Sequence, residues 1–270
     1  MTEQEYNAAE GIRRSDLWLM NSSPEKFKWH MDHPEEESKK SPAFIFGSAC
    51  HKMILEPESW THEYTVAIQA DRRTKEGKEA WARFCEEHAG KTIITPDDFE
   101  TINEMRNAMQ ECKLAADMIE GQHEVPFFWT DPETGEKCKC KADVVKTVDG
   151  KYVIVDYKTT TDASTEAFNR HILRFGYHVQ AAMYTEGLQT ALELDYRPRF
   201  LFVAQEKNAP YAVNVVDVGE DVMNYGSTVY HELLRKYHEC KEMDLWPGYV
   251  GDVANDCWLP GWVDAELEDE

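Results

Sequence analysis

The chain lacks any run approaching the ~18 consecutive apolar residues of a membrane-spanning helix, so no span is predicted. It also lacks a Cys-x-x-Cys pair. Its seven cysteines (Cys50, Cys85, Cys112, Cys138, Cys140, Cys240 and Cys257) are an odd and scattered set. That argues against a disulfide framework and supplies no spaced set of four for an iron–sulfur cluster. Cys138-x-Cys140 alternates along a strand and puts both thiols on one face, which could pair on a metal; ordinary reduced thiols are the expectation. No Gly/Ser linker and no internal repeat marks a boundary. The 270 residues therefore read as a single domain: a mainly helical part (1–120), a sheet core (121–218), and a C-terminal helix and tail (219–270). The opening MTEQEYNAAEG has neither a basic nor an apolar leader region, so a cytoplasmic location is expected.

Basic residues are scarce, with 29 Lys and Arg against 51 Asp and Glu, a net charge of −22. This argues against non-specific binding to polyanions. The acids are uneven, however, with dense runs at 32–40 and 264–270 that read as solvated surface. Any binding of nucleic acid must rest on a local basic groove and on metal ions. A hydrophobic content of 42% is enough for a core, so disorder is expected only at the ends.

Along the chain, GIRRSDLWLMNSSPEKFKWHMDH predicts two short helices, the first capped by Ser15 and the second entered at Ser23-Pro24. SPAFIFGSACHKMILEP predicts a helix with Phe44, Gly47, His51 and Leu55 on one face. Helices over 74–89 and 95–120 follow. The period then changes to that of strands in HEVPFFWT, EKCKCKADVVKTV and KYVIVDYKTT. Helices at 164–172 and 177–193, strands at 199–206 and 211–218, and a helix at 220–241 complete the chain. This order predicts an α/β or α+β sandwich. LWPGYV and CWLPGW put Trp246, Trp258 and Trp262 near the C-terminus, where packing on the same chain is expected.

Asp149-Gly150 is a strong two-residue hairpin signal. If it forms, opposed residues sum to 299, which sets Asp143 across from Asp156 and Lys141 across from Lys158, all on one face. Two opposed carboxylates repel unless a cation or a shared proton lies between them. A solvated face with diagonal lysines is the simpler alternative. The apolar VIV and FFW segments instead predict a central hairpin, where several charges cost several kcal/mol each unless paired or metal-bound. Two carboxylates with a lysine two residues on suit metal-assisted phosphodiester hydrolysis, with Mg²⁺ as the expected ion and Mn²⁺ as a substitute. Lys158 would orient or deprotonate the attacking water and offset transition-state charge.

Asp143 with Asp156-Tyr157-Lys158 resembles the PD-(D/E)xK nuclease signature, Ala142 standing where proline is common. More of the chain resembles the RecE-type (exonuclease VIII C-terminal) branch of phage and prophage exonucleases. The likeness runs through GIRRSDLWLMNSSPEKF, FGSACHKMILEPE, CKCKADVV, IVDYKTTTDAS and FGYHVQAAMYTEGL, roughly residues 10–190. It implies a restriction-endonuclease-like core, a central mixed sheet flanked by helices. It also implies a 5′→3′ exonuclease on linear double-stranded DNA that leaves 3′ single strands for a single-strand annealing protein. Ring-shaped homo-oligomers, in a bacterial or phage-infected cell, are implied as well. His51 would join Asp143, Asp156 and Tyr157 at the metal, and Gln180 and Tyr184 would line the site with Lys158. Glu124 is either a peripheral ligand, a water-holder or an ordinary surface glutamate. Tyr177, Gln180 and Tyr184 share a helix face, which periodicity alone would assign to an amphipathic core helix. Lys141, Arg170 and Arg174 are candidates for gripping phosphates, with solvated surface as the alternative. Arg72 and Arg73, in RRTKEGK, form either a DNA-contacting loop or a solvated helix start. Thr159 to Thr161 would edge the site. A single-strand nuclease or endonuclease of the RecB-like kind, and a non-catalytic acidic interaction module, are the competing readings.

Overall fold

The structure, a computed structural model, describes residues 1–33, 41–249 and 255–257. The acidic tail 264–270, most of the run 32–40, Trp258 and Trp262 lie outside the described residues. The N-terminal part comprises α1 (Glu3–Ala8), α2 (Arg14–Ser22), α3 (Pro24–Asp32), α4 (Pro42–Leu55) and α5 (Trp60–Glu63). After these come β1 (Tyr64–Val66), α6 (Lys75–Glu87), β2 (Thr92–Ile94), α7 (Pro96–Glu111) and α8 (Lys113–Met118). The core follows with β3 (Gln122–Thr130), β4 (Lys137–Val148), β5 (Lys151–Thr160), α9 (Thr165–Arg174), α10 (Tyr177–Ala191), β6 (Arg199–Glu206), β7 (Val213–Asp217) and α11 (Glu220–Met243).

The central sheet has the order β3-β4-β5-β6-β7, antiparallel except for the parallel β5–β6 pair. A parallel pair needs a crossover, and α9 with α10 supplies it. Asp149 (φ 49°) and Gly150 (φ 76°) are both left-handed, as a tight two-residue hairpin turn requires. The β4–β5 hairpin is therefore interior, as its apolar neighbours predict. The FFW strand is not: β3 is an edge, and Phe128 is 37% exposed.

Alternate residues of β5 feed two separate cores. Ile154 packs with Phe200, Phe202 and the helices α2, α3, α9, α10 and α11 on one face. Val153, Val155 and Tyr157 pack with α4, α7 and α8 on the other. Helix α10 lies between the sheet and α11, and nine of its residues from His178 to Leu188 are buried, so it is more enclosed than an amphipathic reading predicts. Its crossing with α11 is close at Gly226, where an added Cβ would lie 2.1 Å from the His178 carbonyl oxygen.

Local differences from the sequence reading have local causes. Ser15 lies inside α2, because Asp16 accepts the Arg13 N–H at 2.9 Å and the helix starts two residues earlier, with Arg13 as its cap. The helix expected over 95–120 divides at Cys112, whose backbone is extended. The short parallel pair β1–β2 has too few residues to show a period and was not expected. Trp246 stacks on Phe27 at 5.4 Å, so this part of the C-terminal clasp does pack on its own chain. Cys138 and Cys140 are buried in the same core. Among the described residues, no helix is long and apolar enough to cross a membrane.

Candidate metal and phosphodiester site

The β4–β5 ladder keeps the expected register from Val148–Lys151 to Val144–Val155 and then stops. Beyond that point β4 continues only against β3, and β5 only against β6. The opposition expected between Asp143 and Asp156 is thus replaced by a side-chain bond, in which Asp143 Oδ2 accepts the Tyr157 N–H at 2.9 Å. Lys141 does not face Lys158. It pairs in register with Pro126 of β3, and its Nζ reaches Glu124 Oε2 at 2.6 Å and the Glu3 carboxylate. Where strands part, side chains from other elements can reach the gap, and here they do.

His51, on α4, sets Nε2 2.9 Å from Asp143 Oδ2 and Nδ1 3.8 Å from Glu124 Oε1. Glu124 holds a left-handed backbone (φ 53°) at the one position where the β3–β4 ladder skips a pair. Such a conformation in a glutamate costs energy and persists only where its surroundings fix it. One ligand atom each from His51, Glu124 and Asp143 lies within 4.8 Å of the others. Asp156 lies beside them, 1% exposed. Its Oδ1 accepts Gln180 Nε2 at 2.5 Å, while Oδ2 is 2.5 Å from Lys158 Nζ. Among the described residues the Lys158 ammonium is the one partner of this buried oxygen.

Matching residues 14–257, a profile for a PDDEXK-like domain of unknown function, DUF3799, covers most of the chain. The chain belongs to this family. The family is of the PD-(D/E)xK nuclease kind, in agreement with the motif and the mixed sheet. A solved protein of Eubacterium rectale, assigned provisionally as an exonuclease, has the same fold. It superposes with a TM-score of 0.62 at 15% identity, over 91% of this chain and 87% of that one. A weaker likeness, to the structure of SSO0001, has a TM-score of 0.28 at 12% identity, over 50% of this chain and 70% of the other, and decides nothing. A sequence comparison with curated proteins found no match.

The electrostatics of this PDDEXK-like site fit a divalent cation. Burial and the Asp143 carboxylate raise Asp156 to about 6. Burial also opposes the Asp143 charge, but His51, Lys158 and the Tyr157 N–H outweigh it and hold that carboxyl below its usual value. Burial disfavours protonated His51, yet Asp143 and Glu124 outweigh burial and raise its pKa. The cluster without metal is therefore held by protons that a cation would displace. Carboxylate oxygens with one imidazole form a donor set that suits Mg²⁺ or Mn²⁺. His51, Glu124, Asp143 and Asp156 would hold the ion, which would polarise a phosphoryl oxygen and acidify its bound water. Lys158 stays charged: burial lowers its pKa, but Asp156 and Asp143 more than restore it. Its ammonium lies 5.1 Å from the centre of the Tyr177 ring and can orient water and offset phosphoryl charge.

His51, Glu124, Asp143 and Lys158 line a cleft of about 920 Å³ that also takes in Lys141, Thr159 and Tyr177, whereas Asp156 and Gln180 are buried and do not line it. Tyr184, half-buried near Asp156, has its hydroxyl held protonated by burial. Tyr157 gives its backbone N–H to Asp143, and its ring, 6.1 Å from the His51 ring, borders the cleft. Its side chain lies on the face opposite the Asp156 carboxylate, where the hydroxyl donates to Gln205 Oε1 at 2.8 Å. Arg170, paired with Glu166, and Arg174, beside Phe175, do not line the cleft, and neither do Arg72, over Trp81, and Arg73. Sequence reasoning missed Glu3, Tyr6, Lys52 and Arg14. The guanidinium of Arg14 lies 5.7 Å from the Tyr177 ring centre. Arg14 and Lys52 lie inside stretches that carry the family resemblance, GIRRSDLW and FGSACHKM, whereas Glu3 and Tyr6 lie in none. Gln205 could have been noticed as an amide inside the otherwise apolar strand FLFVAQE.

Proposed function

We propose that the protein is a divalent-metal-dependent deoxyribonuclease that degrades linear double-stranded DNA from its ends, 5′→3′. The observation carrying this reading is the grouping of His51, Glu124 and Asp143 within 4.8 Å in an open cleft, beside Lys158 and its buried partner Asp156. Mg²⁺ is the proposed ion, with Mn²⁺ able to replace it. Asp143 and Asp156 anchor it with His51, while Gln180 fixes the Asp156 carboxylate and Lys158 offsets charge at the phosphoryl group. Lys141 lines the path of the DNA, and Tyr184 backs the site near Asp156. Polarity rests on the resemblance to RecE-type exonucleases, as do an annealing-protein partner, a ring of subunits and a cytoplasmic location.

The test is degradation of linear duplex labelled at one 5′ end, compared with covalently closed circles, in Mg²⁺, in EDTA and with Lys158→Ala. Metal-dependent release of mononucleotides from linear DNA alone is expected, with the substitution lowering the rate by about 10²–10³-fold. Cutting of circles would establish an endonuclease instead. Folded protein inactive with every divalent ion would leave a binding module.

A further inference from the structure

The Lys137, Lys139 and Lys141 side chains alternate along β4 with the buried Cys138 and Cys140, and each of the three is engaged by the first ten residues. Lys137 Nζ is 2.5 Å from Glu10 Oε2. Lys139, only 4% exposed, donates to the backbone carbonyls of Tyr6 (2.9 Å) and Ala9 (2.5 Å) at the end of α1. Lys141 takes the Glu3 carboxylate. Residues 1–10 carry three glutamates and no lysine or arginine. Met1, Thr2, Glu3 and Tyr6 line the same cleft as His51, Asp143 and Lys158. An acidic segment thus sits on Lys141 at the cleft and on Lys137 and Lys139 along the strand that leads from it, where a phosphate backbone would sit.

We propose that the lysine row of β4 is a phosphate track leading to the site, and that residues 1–10 are an acidic strap that covers it and lifts when DNA enters. The inference rests on the nuclease reading above. Three features suit the strap to opening. Tyr6 is the only buried side chain of α1. The links of Glu3 to Lys141 and of Glu10 to Lys137 are surface ion pairs, which contribute little and weaken with salt. A hinge and an anchor follow directly. Gly11 holds φ +145°, a conformation open to glycine, and Ile12 is fixed to β4 through its N–H to the Lys137 carbonyl (2.8 Å) and its carbonyl from the Lys139 N–H (3.0 Å). Lifting the strap would uncover three cations spaced two residues apart, about 6.7 Å along the strand, with Lys141 keeping its pair to Glu124. The strap would also act as a filter, since a weakly charged ligand would not displace it.

The experiment uses the full chain with Ca²⁺ in place of Mg²⁺, so that binding is read without cleavage. Binding of a fluorescent linear duplex is compared for wild type and the Glu3→Gln, Glu10→Gln double variant, and amide exchange of residues 3–9 is followed with and without DNA. Glu5 is left intact because it closes the α1 capping box. Expected results are a two- to fivefold gain in affinity at low salt, of the order of one or two lost surface pairs, and faster exchange of 3–9 when DNA binds wild type. Unchanged affinity together with unchanged or slower exchange would overturn the strap and leave the nuclease reading intact. A duplex that binds neither protein at any salt would overturn both.

Discussion

At Asp156 the competing terms can be ordered. Burial and the charge of Asp143 raise it to about 6, against an ordinary 3.8. The folded chain then binds this proton more tightly than the unfolded chain does, so the contribution of Asp156 to metal-free stability falls as pH rises from about 4 to about 6. A cation needs the ionised form. The melting-temperature gain from Mg²⁺ is therefore expected to be small near pH 5 and to grow steadily through pH 6 to 7. A gain already complete at pH 5 would contradict the assignment of Asp156 as ligand. His51→Ala removes one donor and the proton that bridges toward Asp143, and is expected to lower Mg²⁺ affinity about 10- to 100-fold by calorimetry. The motif D…D-x-K was legible in the sequence because its members lie on two neighbouring strands. Glu124 was an undecided candidate, because the left-handed backbone that accompanies its placement is invisible in residue type.

Elements position these residues from both faces of the sheet. On the face away from the Asp156 carboxylate, the Tyr157 hydroxyl donates to Gln205, and Gln205 Nε2 donates to the Met105 carbonyl at 2.7 Å. These bonds tie the Asp156–Lys158 end of β5 to β6 and α7. Gln205→Leu removes both bonds, leaving the Tyr157 hydroxyl only its 3.2 Å contact with the Cys50 thiol, and is expected to cost about 1–3 kcal/mol in urea unfolding. It should also weaken Mg²⁺ binding, although Gln205 is not itself a proposed ligand. On the near face, α10 brings Gln180 to Asp156 and is pressed by α11 at Gly226. Gly226→Ala forces the two helices apart and is expected to cost about 1–3 kcal/mol, measured by the same unfolding. Strand and helix periods predicted most of these elements within a few residues. They did not predict β1, β2 or the break at Cys112, which depend on a few residues and on tertiary contacts rather than on a repeat.

Over the whole molecule, a charge of −22 opposes DNA binding on average. A local array of cations can still win, because surface charges are screened beyond about 10 Å at moderate salt. The candidate cations are unequally placed: Lys141 and Lys158 lie in the cleft, while Arg72, Arg73, Arg170 and Arg174 lie outside it. A ring of subunits would turn such local cations toward a common channel and leave the acids outside. Sedimentation at low and high salt is expected to show an oligomer, and a monomer at both would refute the ring.

From its sequence the protein determined the mixed sheet between helices, the hairpin at Asp149-Gly150, and Asp143, Asp156 and Lys158 as the chemical candidates. These follow from residue period, turn chemistry and a short motif, all of which act over neighbouring residues. Tertiary structure decided where β4 and β5 part, and so that Asp143 bonds to the Tyr157 backbone rather than standing across from Asp156. It also decided that His51 and Glu124 meet at that gap, that the Tyr157 side chain turns away, and that the first ten residues lie over the lysines of β4. Each of these depends on contacts between residues far apart in the chain, and no local pattern encodes such distances.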